Sequence, residues 1–209
     1  MTDEIIFRTL RKEDYSALAD VIRETWHYDD FCTPKAARRL AKAYLYACLS
    51  EQTYTNVALS HGVPVGVIMG RNHRKRPTAL RFGLRAALCA APLFFSAEGR
   101  EVIKFSRKIS QIDSELLKSS RLDDSGELVF FALRADFRKK GIGRDLFEHA
   151  LQYMQKENIP RFFLYTDTSC NYGFYECMGM KRRAEKNIFF DYEETSENMT
   201  FFVYEYRFV

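Results

Sequence analysis

The stretch Glu127–Asp145 reads E-L-V-F-F-A-L-R-A-D-F-R-K-K-G-I-G-R-D, and the rest of the chain is organised around it. An apolar run of strand type passes through a short polar link into a basic, glycine-spaced turn. Beyond the turn, Leu146, Phe147, Ala150, Leu151 and Met154 recur at helical spacing. The order is therefore strand, turn, helix. The first N–H groups of a helix have no partner within it and lie at the positive end of its dipole, so they suit phosphate oxygens. Gly141 and Gly143, on either side of Ile142, let the backbone curl and a ligand approach closely. Arg138, Lys139, Lys140 and Arg144 ring the same point with positive charge. A diphosphate fits this turn. A Walker loop would need Lys and then Ser or Thr after its glycine, and a dinucleotide fingerprint would need a third small residue where Leu146 stands.

The composition narrows the class. The chain has 209 residues, 46% of them hydrophobic, enough for one buried core with a sizeable insertion. A net charge of +4, from 32 basic and 28 acidic residues, implies no nucleic-acid partner. Five scattered cysteines form no C-x-x-C pair, which points to a reducing compartment. The opening M-T-D-E-I-I-F lacks the apolar core of a signal peptide, and the longest apolar stretch, Ala86 to Phe95, is too short to span a bilayer. A cytoplasmic protein with no membrane partner is expected.

Outward from the central stretch, the pattern predicts a first strand over 4–10, a helix from Lys12 to about Trp26 and a second from Thr33 to about Ser50. A hairpin over 53–69 follows. Residues 71–125 read as a helical insertion that opens on a basic run. In it Leu80, Leu84, Ala87 and Leu88 share one face, and Val102, Phe105, Ile109, Ile112 and Leu116 share another. The insertion is read either as a helical hairpin on the core or as a cover for an acceptor site. After the central helix come a strand over 161–166, a short helix over 171–178 stopped by Gly179, a strand over 180–191 and a closing strand over 199–208. The expected architecture is α/β: one domain over 1–209 with a central twisted mixed sheet of about seven strands flanked by helices.

The R-x-x-G-x-G pattern of Arg138, Gly141 and Gly143 resembles the acetyl-CoA motif of the GNAT acetyltransferases. A second stretch, T-D-T-S-C-N-Y-G-F-Y-E-C-M-G-M over 166–180, is similar to the family's late motif, with Met180 in place of the last Phe. The resemblance implies an acetyl-CoA-dependent N-acetyltransferase acting on a primary amine of a small molecule or peptide, by direct attack in a ternary complex. It implies that Phe131, Ala132 and Leu133 bond the pantetheine arm, that Arg138, Lys139, Lys140, Gly141, Ile142, Gly143 and Arg144 hold the diphosphate, and that Asn171 either bonds the pantetheine or caps the short helix. Tyr175 matches the family's tyrosine acid, and Glu127 matches the glutamate base of the histone-acetylating branch. By simple alternation Glu127 would share a face with Val129, Phe131 and Leu133, unless a bulge resets it.

A non-catalytic acyl-CoA-binding module is the alternative reading. Cys170 and Cys177 are expected to be buried small hydrophobes, and the four histidines have no metal-ligand spacing, so no metal is expected. Family members line the acceptor side with the link between the first two helices and with the last hairpin, so the resemblance implies that Asp29, Asp30, Asp191, Glu193, Glu194 and Glu197, with Trp26 and Tyr28, face a cationic acceptor. A second copy is a further candidate partner, and the sequence leaves open whether it would pair through the closing strand.

Overall fold

The structure, a computed structural model, describes residues 4–76, 80–122, 126–191 and 196–208. In chain order the elements are β1 (Ile5–Thr9), α1 (Tyr15–Thr25), α2 (Tyr28–Phe31), α3 (Pro34–Glu51), β2 (Tyr54–Ser60) and β3 (Val63–Arg71). Then follow α4 (Leu80–Ala90), α5 (Ala97–Ser120), β4 (Gly126–Leu133), α6 (Ile142–Lys156), β5 (Arg161–Asp167), α7 (Gly173–Cys177), β6 (Lys181–Asp191) and β7 (Ser196–Arg207). The seven strands form one sheet in the order β1-β2-β3-β4-β5-β7-β6, antiparallel throughout except between β4 and β5. The expected mixed seven-stranded sheet is borne out.

Alternation along the strands gives the sheet two apolar faces. On one face α1 and α3 pack Leu18, Ile22, Leu45 and Leu49 against Val57, Val67, Met69, Phe130 and Ala132. Further along that face α5 packs Ile112 and Leu116 against Phe163, Phe190, Phe201 and Val203. The other face carries α6, whose Leu146, Phe147, Ala150 and Met154 meet Ile68, Leu128, Phe162, Leu164 and Tyr204. Thus α1 and α3 cover the β2–β3–β4 side of this face, and α5 covers the β7–β6 side with Phe163 of β5 at its margin.

A bulge in β4 changes which residues face the seam. Phe130 lies opposite Met69 and Leu128 opposite Gly70, so Val129 has no partner of its own. Leu128 therefore joins the α6 face, whereas Val129, Phe130 and Ala132 join the α1–α3 face. Glu127, one residue before Leu128, shares a face with Phe130 and Ala132 rather than with Phe131 and Leu133. This corrects the simple alternation.

Two other expectations are corrected, for α4 and for the cysteines, and the closing strand is placed. The face of α4 that holds Leu84 and Leu88 points to solvent, with each residue 64% exposed, whereas Phe82 is buried. The inward stripe runs instead through Phe82, Gly83, Ala86 and Ala90. Small residues let α4 approach α3 closely, and a Cβ on Gly83 would sit 4.0 Å from Ser50 Cβ. The closing strand β7 is flanked by β5 and β6, so its edges are both occupied and it offers none to a second copy. Cys177 is exposed and Cys170 only half-buried.

Candidate active site at the β4–β5 seam

β4 and β5 pair only at their first residues, Gly126 with Phe162 and Glu127 with Phe163. Beyond that point the strands part. The other edge of β4 stays bonded to β3, with Phe131 opposite Ile68, Ala132 opposite Val67 and Leu133 opposite Gly66. The edge of β4 that faces the gap therefore offers main-chain donors and acceptors to an extended ligand, as an unpaired strand does.

The phosphate turn closes one end of this gap. After a short 3-10 turn over Ala135–Phe137, the backbone takes left-handed values at Lys139 (φ 61°) and Gly141 (φ 87°). Alternating hands fold successive N–H groups to one side, which makes a concave anion site. No backbone carbonyl among the described residues accepts from the amides of Lys139 through Arg144, and the ladder of α6 starts with Asp145 N–H donating to Gly141 O at 3.1 Å. Arg138 Nε donates to Leu133 O at 3.2 Å, tying the turn to the end of β4. A Cβ on Gly143 would lie 3.6 Å from Phe131 Cζ and 3.7 Å from Phe174 Cε2. The turn, the open strand and α7 thus meet at one point.

α7 places Tyr175 at that meeting point. Its ring centroid lies 5.6 Å from that of Phe174 and 6.2 Å from that of Tyr204. Its hydroxyl has no hydrogen-bond partner among the described residues. Burial, and then the Cys170 and Asp167 charges, push the phenol up, so it stays protonated at neutral pH. Asn171 is exposed and its carbonyl, not its side chain, receives the Phe174 N–H at 3.1 Å, so the expected side-chain cap is absent.

The opposite face of the gap is acidic and aromatic. Glu127 is largely buried and faces His73, with Oε2 3.2 Å from Nε2. The His73 ring lies 6.0 Å from Phe163, which lies 5.4 Å from Tyr165. Alternation puts Tyr165 and Asp167 on the same face as Phe163. Across the gap α3 brings Tyr44, whose ring stands 5.6 Å from Phe130, with Trp26 4.3 Å from Tyr44 and 5.4 Å from Phe130. Burial pushes Tyr28, Tyr44 and Tyr165 up, so these phenols are neutral.

The inserted helix α5 adds Asp113, which the sequence reading did not single out. Burial, then the Asp167 and Glu127 charges, raise this carboxyl to about 7. The signal was present: Asp113 interrupts the apolar stripe of Ile109, Ile112 and Leu116, at four residues from the first and three from the last. His73, Tyr44, Tyr165 and Asp167 were likewise missed as members of this wall, because only the fold gathers them. The acids expected on the acceptor side contribute less. Asp29 is taken by Arg23 at 2.6 Å and Asp30 faces His27 at 3.8 Å. The side chains of Asp191, Glu193, Glu194 and Glu197 lie outside the described residues. No group of three or more metal-binding side chains occurs among the described residues, and none of their helices is long and apolar enough to cross a membrane.

Comparison with known proteins agrees with this geometry. Residues 115–180, which hold β4, the turn, α6, β5 and α7, match the acetyltransferase (GNAT) family. No curated protein matches the chain by sequence. Among solved structures the chain is similar to PH1933 from Pyrococcus horikoshii OT3, at 17% identity and TM-score 0.61, over 99% of each chain. A GNAT-family acetyltransferase from Streptococcus pneumoniae aligns over 98% of this chain and 99% of its own, at 14% identity and TM-score 0.56. The PaiA N-acetyltransferase from Thermoplasma acidophilum, solved with coenzyme A, aligns over 98% and 99% at 16% identity and TM-score 0.51. At such identities the likeness shows the fold, and the expected architecture and resemblance are borne out.

Proposed function

We infer, for a chain that carries the acyltransferase core of the GNAT family over residues 115–180, that acetyl-CoA donates its acetyl group to a primary amine bound on the acidic face of the β4–β5 gap. The observation that carries this reading is the early parting of β4 and β5, with an anion-binding turn on one side and a carboxylate wall on the other. The amides of Lys139 through Arg144, with the side chains of Arg138, Lys139, Lys140 and Arg144, hold the diphosphate. Phe131, Ala132 and Leu133 bond the pantetheine arm as an added strand, and Asn171, exposed beside α7, is in reach of it. The thioester then lies in the gap.

The chemistry balances with the residues at hand. The incoming ammonium gives one proton to Glu127, and the freed lone pair forms the C–N bond at the thioester carbonyl. A main-chain N–H near Leu133 serves the oxyanion. As the C–S bond breaks, Tyr175 gives its phenolic proton to the departing thiolate. The second nitrogen proton returns to the phenolate, and the proton on Glu127 leaves to water. The aromatic wall of Trp26, Tyr28 and Tyr44 favours a cationic acceptor.

A thiol-release assay over a panel of amines tests the reading. Tyr175→Phe is expected to lower turnover by about two to three orders of magnitude, the usual worth of a placed acid, without weakening coenzyme A binding. An unchanged rate removes Tyr175 from the mechanism. Binding of acetyl-CoA with no amine turned over would leave only a coenzyme-binding module. Arg138→Glu with Gly141→Ala should cut coenzyme A affinity at least tenfold, since it reverses a charge and strains the left-handed residue of the turn.

A further inference from the structure

We propose that the outer face of α4 and the turn that follows it form a docking surface for a membrane rich in anionic phospholipid, on which the chain lies without crossing it. The proposal goes beyond the acyl transfer described above and gives the insertion a part of its own. It starts from the face of α4 that points away from the core. Leu84, Ala87, Leu88 and Ala91 are all exposed and follow one another at steps of three and four, so they form one apolar stripe. In the 3-10 turn over Ala91–Phe95, side chains three apart stand above one another, so Phe94 extends the stripe past Ala91. Phe94 is 49% exposed and Phe95 86%. Single exposed apolar residues need no explanation, but two leucines and two phenylalanines on one surface do.

The tip of this surface is held in its pose. Leu93 is buried with Cys32, Ala36 and Ala37 at the start of α3, which turns its neighbours Phe94 and Phe95 outward. Ser96 then caps α5 by accepting the Gly99 N–H at 3.1 Å, and a Cβ on Gly99 would collide with the Leu93 carbonyl. The two phenylalanines are therefore displayed by a packed turn rather than by a loose loop.

Charge selects the partner. Residues 80–111 carry six cations, Arg81, Arg85, Arg100, Lys104, Arg107 and Lys108, against two acids, Glu98 and Glu101; six less two is +4, the net charge of the whole chain. Glu98 accepts from the Thr33 main chain and Glu101 pairs with Lys104 at 3.7 Å, whereas Arg81, Arg85, Arg100 and Arg107 have no carboxylate partner among the described residues. Arg81 and Arg85 edge α4, their guanidinium carbons 5.1 and 5.9 Å from the Phe82 ring. Arg100, Lys104, Arg107 and Lys108 of α5 share with Ile103 and Phe94 the lining of one open groove, and Arg100 Nη1 donates to Phe94 O at 3.4 Å. Cations and apolar tip therefore meet at one surface. Leucine and phenylalanine that enter the acyl boundary, beside Lys and Arg that meet the headgroup phosphates, are what an interfacial surface needs. A second copy is disfavoured, because facing stripes would bring +4 against +4. A nucleic acid would meet apolar side chains where it needs cations. A protein partner would need a ready pocket for Phe95, whereas a fluid bilayer admits it without one. The expectation of no membrane partner rests on the lack of a spanning segment, which a surface that lies on the bilayer does not need.

Sedimentation of the full chain with lipid vesicles tests this. Vesicles of equal parts phosphatidylserine and phosphatidylcholine should carry the chain down, and vesicles of phosphatidylcholine alone should carry at least about tenfold less at the same lipid concentration. Leu88→Gln with Phe95→Gln should weaken the partition by at least about tenfold, a floor below the full transfer of two such side chains. Both residues are exposed, and an unchanged melting temperature shows that this variant is folded. Lys104→Glu with Arg107→Glu should weaken binding by a similar factor at low salt and by much less at high salt. No sedimentation with the phosphatidylserine vesicles overturns the inference. So does sedimentation that Leu88→Gln with Phe95→Gln leaves unchanged, since charge alone would then hold the chain. A dimer in light scattering that the same variant dissolves, without vesicle binding, overturns it in favour of a second copy. None of these readouts uses acetyl-CoA or an amine, so they stand whether or not the chain transfers acetyl groups.

Discussion

Glu205 of β7 is a carboxyl taken out of water and Asp113 of α5 one taken partly out of it, and the chain treats them in opposite ways. Glu205 is 2% exposed and is surrounded by arginines: Arg183 Nε at 2.6 Å, Arg207 Nε at 2.9 Å and Arg161 Nη1 at 3.6 Å. Burial alone would raise it, yet the hydrogen bonds from Arg207 and Arg183 hold it below the usual carboxylate range. Asp113 is less buried and has no such partner, so burial and like charges raise it to about 7. A carboxyl that serves the fold is neutralised by the fold.

Breaking the neutralised site should have the largest effect. Glu205→Ala leaves three guanidinium groups without their shared carboxylate and is expected to cost about 3 kcal/mol in urea unfolding at pH 7, at the low end for buried pairs because the arginine heads reach water. The pH dependence has a definite sign. A folded value below the unfolded one means that this stabilisation is complete above about pH 5 and is lost as acid protonates the folded carboxylate. The difference between wild type and Glu205→Ala should therefore shrink below pH 4. A constant difference would mean that packing, not charge, holds Glu205 in place.

Asp113→Asn should do the reverse, by a smaller amount. Its folded value lies above the ordinary value of about 4, so between about pH 4 and 7 the folded chain keeps a proton that the unfolded chain has released. Stability from this group is present at low pH and declines as pH rises through that window. Removing the charge should stabilise the protein by about 2 kcal/mol at pH 8, against a ceiling of about 4 kcal/mol for three pKa units, and by nothing at pH 4. Loss of stability at pH 8 would show that Asp113 has a structural partner after all.

The same contrast explains what the sequence made legible. The turn at Arg138–Arg144 was readable because its chemistry is local: glycines, cations and a helix start lie within seven residues. Tyr175 and Glu127 were singled out by resemblance, Tyr175 through the late motif and Glu127 through its place at the head of a strand. The face of Glu127 was left open because the bulge at Val129 arises from pairing with Met69 and Gly70, some sixty residues away. The apolar face of α4 was misassigned because periodicity counts large residues, whereas the contact with α3 is made by Phe82, Gly83, Ala86 and Ala90. Asp113 was overlooked for a related reason. An acid within an apolar stripe looks like noise until burial and the charges of Asp167 and Glu127 act on it.

A third acid, Glu115 of α5, sets the lower bound of the scale. Glu115, two residues beyond Asp113, is exposed and paired with Lys186 of β6, itself more than a third exposed. Here the charge is neutralised but never leaves water, so its attraction is screened and two long side chains must be held in one geometry. Lys186→Ala should therefore cost less than about 1 kcal/mol, and 0.5 M salt should remove most of that. Because the partner is Glu115, the substitution should also leave the Asp113 titration midpoint within a few tenths of a unit. A larger shift would mean that Lys186 serves both acids, and Asp113 would then be a weakly paired carboxyl rather than an unpaired one.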